Sequence, residues 1–165
     1  MTIYRPINFL EEYRIRASSN DIGDLSGRIG RPDLTHFVIG EIISEIDFEP
    51  INNVVDIGCG DGAFLRQLAE LGGSGAKGRL IGISPTEEEV CRVSQHLNIT
   101  NNDLIDIQIG HLEKTNLPDE FADLIVTNST ISSLISQAAV SAALLEIKRI
   151  TKKGGKVFIG ELSDT

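Results

Sequence analysis

Val54-Val55-Asp56-Ile57-Gly58-Cys59-Gly60-Asp61-Gly62 is the stretch that decides the fold. A short apolar run ends in three alternating glycines, and from Asp61 to Leu71 the residues Phe64, Leu65, Leu68 and Leu71 recur at helical spacing. The pattern predicts a strand that turns sharply into a helix. Glycine permits such a turn and removes the Cβ that would hold a ligand away from the main chain. The spacing is G-x-G-x-G, not the G-x-G-x-x-G of dinucleotide sites. Asp56 stands two residues before the first glycine.

Working outward, Arg79 to Ile83 predicts a second strand, Leu104 to Ile109 a third, Ala122 to Thr127 a fourth and Lys156 to Gly160 a fifth. Thr86 with Glu89 three residues on is a capping-box pattern, and Val90, Val93 and Leu97 continue the apolar face of the helix it starts. Ala138 to Ile150 predicts a strongly apolar helix, stopped by Gly154-Gly155. Strands that read as continuous apolar runs between helices imply a mostly parallel sheet covered on both faces, a three-layer α/β/α sandwich with right-handed crossovers. Before Val54, Asn8 to Ala17 predicts a short helix and Pro32 to Asp47 a longer one. Ser18 to Arg31 between them is rich in Ser, Gly and Asp with few apolar residues, and a loop of that length is expected to be functional or mobile. Residues 1–33 are therefore expected to be a helical lid or arm on a domain spanning 34–165.

The 165 residues are the length of one domain, with 41% hydrophobic and 24% charged residues. No apolar run approaches the roughly 20 residues that cross a bilayer, and the N-terminal stretch carries Arg5, Glu11, Glu12 and Arg14 where a signal peptide would be apolar. Two cysteines, Cys59 and Cys91, make no disulfide framework, so a cytoplasmic setting is expected. The formal net charge is −9. The tightest basic group, Lys148, Arg149, Lys152 and Lys153, falls at the end of a predicted helix, where cations complement the dipole. Neither nucleic acid nor membrane is expected as a partner, and no metal site is expected.

The glycine stretch resembles the first motif of the class I S-adenosylmethionine-dependent methyltransferases. Leu117-Pro118-Asp119-Glu120-Phe121-Ala122-Asp123-Leu124-Ile125-Val126 is similar to that family's segment before and through the fourth strand. Glu146-Ile147-Lys148-Arg149-Ile150 followed by Lys153-Gly154-Gly155-Lys156-Val157 is similar to its approach to the fifth, with Lys153 where proline is usual. The likeness runs from about Leu34 to the end of the chain. It implies that S-adenosylmethionine is the cofactor, with Gly58, Cys59, Gly60 and Gly62 against its methionyl part and Asp56 orienting its amino group. Without the resemblance, the same residues would also suit a strand-to-helix turn in a nucleotide-binding or structural domain.

Three departures from the family stand out. Ser84, followed by Pro85, occupies the end of the second strand, where an acidic residue usually takes both ribose hydroxyls; a serine hydroxyl makes one such bond. Cyclopropane-fatty-acid-synthase-like relatives resemble this variant. Glu87 to Glu89 follow closely, although acidic residues in a first turn also serve the helix dipole. After the third strand, His111-Leu112 replaces the usual acidic partner of the adenine amino group. Finally, the chain ends just after the fifth strand, whose Val157-Phe158-Ile159 core reads as an interior strand. A further C-terminal region, or a second copy in a homodimer, is expected to cover that edge.

The resemblance places Asn128, after the fourth strand, beside the transferring methyl; Asn128-Ser129-Thr130 reads equally as a cap on a helix over 131–135. His111 and Glu161 are candidate bases for an acceptor that must lose a proton. His36 and the two tyrosines, Tyr4 and Tyr13, read first as packing residues. The expected activity is in-line methyl transfer to a small-molecule acceptor. A non-catalytic module that binds S-adenosyl ligands or a protein partner is the alternative.

Overall fold

A computed structural model describes residues 9–26, 32–45, 52–71, 78–98, 103–134 and 136–160. The predicted apolar runs form five strands: β1 (Val54–Ile57), β2 (Leu80–Ser84), β3 (Ile105–Ile109), β4 (Ala122–Asn128) and β5 (Thr151–Gly160). They pair in the order β3-β2-β1-β4-β5, and every pairing is parallel. β1 lies at the centre, with Val54 opposite Leu80 on one side and Leu124 on the other. All four of its residues are buried, as a doubly covered strand requires.

Alternation along the strands divides the core in two. Val54, Leu80, Leu124 and Val126 pack with α2 (Pro32–Glu45), α3 (Ala63–Glu70) and α4 (Glu87–His96), through Ile39 and Ile42, Phe64, Leu65 and Leu68, and Val93. Val55, Ile57, Ile81, Ile83 and Ile125 pack with α5 (Gln137–Ile150), through Ala143, Ile147 and Ile150. Leu112 and Leu117, from the helix-free connection between β3 and β4, join the second cluster. Each of these large side chains contributes roughly 1.5–3 kcal/mol on full burial.

Side-chain caps start two helices, α4 at Thr86, where the capping-box pattern placed it, and α5 at Ser136. Thr86 Oγ1 accepts from the Glu89 amide at 3.3 Å, and Ser136 Oγ accepts from the Ala139 amide at 3.1 Å. Two expectations are corrected. Helix α5 is not stopped by the glycine pair: Thr151 is already extended, and Gly154-Gly155 lie inside β5, where the register against β4 jumps from Ala122–Thr151 to Leu124–Lys156. Lys152 and Lys153 consequently stand on the strand rather than in a last helical turn, and Lys152 Nζ bonds Asp123 at 2.7 Å. That lysine and the Asn53 backbone hold the Asp123 carboxyl below its usual range, against the opposing effect of burial.

The N-terminal segment is docked on the domain. α1 (Phe9–Ala17) packs on α4, and a 3-10 turn over Ile22–Ser26 inserts Leu25, 3% exposed, into the α2–α3–α4 core. The polar stretch after Ser18 is thus anchored at least as far as residue 26. Its remainder at 27–31 lies outside the described residues, as do Tyr4, the end of the predicted second helix at 46–47, and the side chain of His36. β5 forms one edge of the sheet and exposes Val157 and Ile159. No helix among the described residues is long and apolar enough to cross a membrane.

Candidate cofactor cleft

A cleft opens at the carboxyl ends of β1 and β4, where open α/β sheets bind ligands. The turn after β1 supplies Asp56, Gly58, Cys59, Gly60 and Asp61, and β4 supplies Asn128. Apolar side chains of α2 and α3, among them Ile42 and Phe64, form its other wall. Gly58, Gly60 and Gly62 all have left-handed backbone, with φ of 80°, 55° and 75°. The amides of Gly58 and Cys59 donate to the Ile83 carbonyl at 2.9 and 3.2 Å, fastening the turn to β2.

The glycines answer to the protein as well as to any ligand, which refines the sequence expectation. A Cβ on Gly58 would collide with the Thr130 side chain, whose hydroxyl donates to the Ile57 carbonyl at 3.2 Å. A Cβ on Gly62 would sit 2.7 Å from Leu97 Cδ1 of the residue that ends α4. Left-handed backbone together with these neighbours therefore favours glycine at 58 and 62, whether or not a ligand is bound.

Asp56 is 6% exposed and Cys59 also 6%. Burial, aided by the Asp56 charge, pushes the Cys59 thiol far up, so it is a neutral wall. Its Sγ lies 3.4 Å from Ser84 Oγ, and Ser84 is 2% exposed. Asp56, Gly58, Cys59, Gly60 and Asn128 thus converge on one cleft, with Ser84 behind Cys59. Pro85 is half-buried at the entry to α4. Leu112 is buried in the α5-side core, and His111 is exposed, its backbone paired with Lys114. Glu161 lies outside the described residues. The predicted helix after Asn128 is instead a 3-10 turn over Ile131–Ser133 without a side-chain cap, and Asn128 is the last residue of β4.

Glu89 is the residue that sequence reading undervalued. It is only 2% exposed, although its neighbours Glu87 and Glu88 are exposed. Burial raises its carboxyl to about 8, with Arg16 opposing and Glu88 adding to the rise. Its Oε2 is buried with no hydrogen-bond partner. The signal was present: Glu89, Val93 and Leu97 are four apart, so the carboxylate belongs to the inward stripe of α4. Among the described residues the other buried side-chain oxygens without a partner are Thr127 Oγ1 and Ser129 Oγ, at the end of β4. Ser129 also has left-handed backbone, φ 57°, and its amide donates to the Gly160 carbonyl at 2.7 Å. All three orphaned oxygens therefore lie toward the carboxyl edge of the sheet, and no cluster of three metal-ligating side chains occurs among the described residues.

Known proteins share this architecture. Over 121 residues the chain is 25% identical to the ubiquinone/menaquinone biosynthesis C-methyltransferase UbiE of Cupriavidus taiwanensis, covering 73% of this chain and 47% of that one. A crystal structure from Methanococcus maripaludis, assigned provisionally as an S-adenosyl-L-methionine-dependent methyltransferase, superposes with a TM-score of 0.62 at 28% identity, over 75% of this chain and 53% of that one. The N-methyltransferase NodS of Bradyrhizobium japonicum, solved with S-adenosyl-L-homocysteine, shares the fold with a TM-score of 0.69 at 18% identity, over 90% of this chain and 70% of that one. The chain spans a third to a half of the length of the curated relatives it matches. Residues 55–159, from β1 through β5, match the family model of the methyltransferase domain, and the chain belongs to the class I S-adenosylmethionine-dependent methyltransferase family.

Proposed function

We propose that this chain binds S-adenosylmethionine in the β1–β4 cleft and transfers its methyl group to a small-molecule acceptor, in the cytoplasm. The observation that carries the reading is the buried carboxylate of Asp56 lining the cleft at the head of the glycine turn, with a second buried carboxylate, Glu89 with its orphaned Oε2, whose charge reaches Cys59 of that turn. Burying such a group without a partner is costly, and a ligand that donates hydrogen bonds offsets the cost. The cofactor offers suitable donors: an ammonium at one end and two ribose hydroxyls nearer the middle. Asp56 would hold the ammonium. Glu89 would accept from the ribose, the task that Ser84 cannot perform alone.

When bound, S-adenosylmethionine supplies a methyl group activated on a sulfonium. The chain's own part is to position and to exclude water. Cys59 and Ser84 provide a neutral wall, and none of the described residues lining the cleft is a cation that would compete with the sulfonium. Gly58, Gly60 and Gly62 bring backbone close to the methionyl part, with Pro85, His111 and Leu112 toward the ribose and adenine. Asn128 and Ser129, at the end of β4, would face the acceptor. An acceptor that must lose a proton needs a base, for which His111 and Glu161 are the candidates.

Isothermal titration with S-adenosylmethionine and S-adenosylhomocysteine tests the assignment. Saturable binding that Asp56→Ala abolishes, in a variant with an unchanged thermal melt, is the expected outcome. Equal binding by the variant would remove Asp56 from the site, and a folded chain that binds neither ligand would refute the cofactor assignment.

A further inference from the structure

Asn128, Ser129 and Thr130, where β4 ends, are held from both neighbouring strands. Asn128 lines the cleft, and its carboxamide fills the space above Gly160 of β5, where a Cβ would sit 2.5 Å from Asn128 Oδ1. The Thr130 side chain fills the space left by Gly58, and its hydroxyl is shared between the Ile57 carbonyl at 3.2 Å and the Asn128 carbonyl at 3.3 Å. Ser129, between them, is fixed through its amide on the Gly160 carbonyl.

Ser129 carries a cost that these contacts do not explain. Its backbone is left-handed, φ 57°, a conformation that a Cβ disfavours and glycine accepts freely. Glycine would serve the chain path better, so the hydroxyl is what a serine adds there. Within the protein that hydroxyl makes no bond: Ser129 Oγ is buried without a hydrogen-bond partner, although the residue as a whole is only half-buried. Because the residue is partly open, a rotamer change brings Oγ to the surface, where a ligand's donor can satisfy it.

The surroundings select the donor. The described residues at the ends of β4 and β5, 127–134 and 157–160, include no side chain that titrates. His111 follows β3, and β2 and β1 lie between β3 and β4, a separation of roughly 14 Å at the usual strand spacing. The cleft's carboxylates, Asp56 and Asp61, belong to β1 and its turn, and the cofactor's ammonium takes Asp56 in the reading above. An alcohol must give up its proton as it attacks, which needs a base at hydrogen-bond distance. An amine attacks through a lone pair and sheds its proton afterwards.

We propose that the methyl acceptor is a neutral amine, and that Ser129 Oγ accepts a hydrogen bond from its N–H and so aims the nitrogen lone pair at the methyl. The inference rests on the reading of the β1–β4 cleft as the S-adenosylmethionine site. The lone pair forms the new N–C bond as the C–S bond breaks, and the electrons of the broken bond stay on sulfur as the neutral thioether. The methylated ammonium then passes its extra proton to water. Ser129 binds and orients; it takes no proton.

Sinefungin tests this without the natural acceptor, because it carries a carbon-borne amine where S-adenosylmethionine carries the methyl sulfonium. Both ligands are cationic there, and only sinefungin presents N–H donors. Isothermal titration compares the two, with S-adenosylhomocysteine as reference, in the unmodified chain, Ser129→Ala, Ser129→Gly and Glu161→Gln. Sinefungin is expected to bind the unmodified chain about tenfold tighter than S-adenosylmethionine, and the preference to fall within twofold in both Ser129 variants. Affinity for S-adenosylhomocysteine is expected to stay within about twofold in those variants. Ser129→Gly relieves the left-handed backbone and keeps the test open should Ser129→Ala fail to fold. Equal binding of sinefungin and S-adenosylmethionine by the unmodified chain overturns the proposal, as does a preference that survives both Ser129 variants. A preference lost in Glu161→Gln overturns it too, by placing a base at the acceptor. The underlying reading fails differently: an unmodified chain that binds none of the three ligands removes the cofactor site itself.

Discussion

Glu89 on α4 and Glu146 on α5 are both buried, 2% and 8% exposed, yet their surroundings treat them in opposite ways. Glu146 is saturated. Its carboxylate accepts from the Thr115 amide and hydroxyl, both at 2.8 Å, and from Arg149 Nε and Nη2, both at 2.7 Å. Arg149 also donates to the Leu117 carbonyl at 2.8 Å and to Asp119, so α5 is clipped to the β3–β4 connection. These bonds, Arg149's foremost, outweigh burial and hold the Glu146 carboxyl down at about 2. Glu89 receives no such set, and burial drives it up to about 8. A buried carboxylate with both oxygens bonded acts as a structural clip, whereas one with an orphaned oxygen bears a desolvation cost that no protein donor offsets.

The contrast can be broken, and the largest test falls on the clip. Glu146→Ala strands Arg149 and the Thr115 amide, and is expected to destabilise the fold by about 3 kcal/mol, read as a lower urea midpoint at unchanged m. A shift below about 1 kcal/mol would mean the network is ornamental. Next in size, Glu89→Gln is expected to weaken S-adenosylhomocysteine binding by roughly 10- to 100-fold, the loss of a charge-assisted hydrogen bond, while leaving the fold intact. The two variants should therefore separate cleanly in melting and in calorimetry.

The pH dependence sharpens the same comparison. If Glu89 accepts from the ribose hydroxyls as proposed, it does so best as a carboxylate, so occupancy should lower its pKa and release a proton. Affinity is then expected to rise roughly tenfold from pH 7 to pH 9 and to level off above that, with the rise absent in Glu89→Gln. Titrations in buffers of different ionisation enthalpy read the released proton directly. The smallest effect concerns stability without ligand. A carboxyl raised from its ordinary 4.5 to about 8 binds its proton more tightly in the folded state, so its ionisation removes stability as pH rises through that window. Glu89→Gln is expected to cancel that loss and stabilise the free chain at pH 8–9 by about 1 kcal/mol. Glu146 has the reverse sign, its contribution being complete above its ordinary 4.5 and lost as pH falls toward 2.

Most of the scaffold was legible because its signals are local. Alternating glycines after Val54 to Ile57 encode a turn in the residues themselves, and apolar periodicity reports which side of an element is buried. Helix ends were legible where a cap is a side chain, as at Thr86, and illegible where geometry overrides composition. The Gly154-Gly155 pair looked like a helix stop, but pairing of Thr151 with Ala122 had already drawn the chain into the sheet. Leu25 is one of three apolar residues, with Ile22 and Ile29, in a stretch rich in Ser, Gly and Asp, too few among turn-forming residues to announce a core anchor.

The sequence by itself determined the five-strand parallel sheet, the turn that carries Asp56, and the family, since each depends on residues adjacent in the chain or repeated at a regular interval. Tertiary structure alone decided that Gly58 makes room for Thr130, that α1 lies against α4 through Arg92, and that Glu146 is satisfied while Glu89 is not. Thr130 and Gly58 are 72 positions apart, and Arg92 and Arg16 are 76 apart. Burial and hydrogen-bond satisfaction are properties of what the fold brings together, and a glutamate carries no mark in its own sequence neighbourhood of how many donors will reach it.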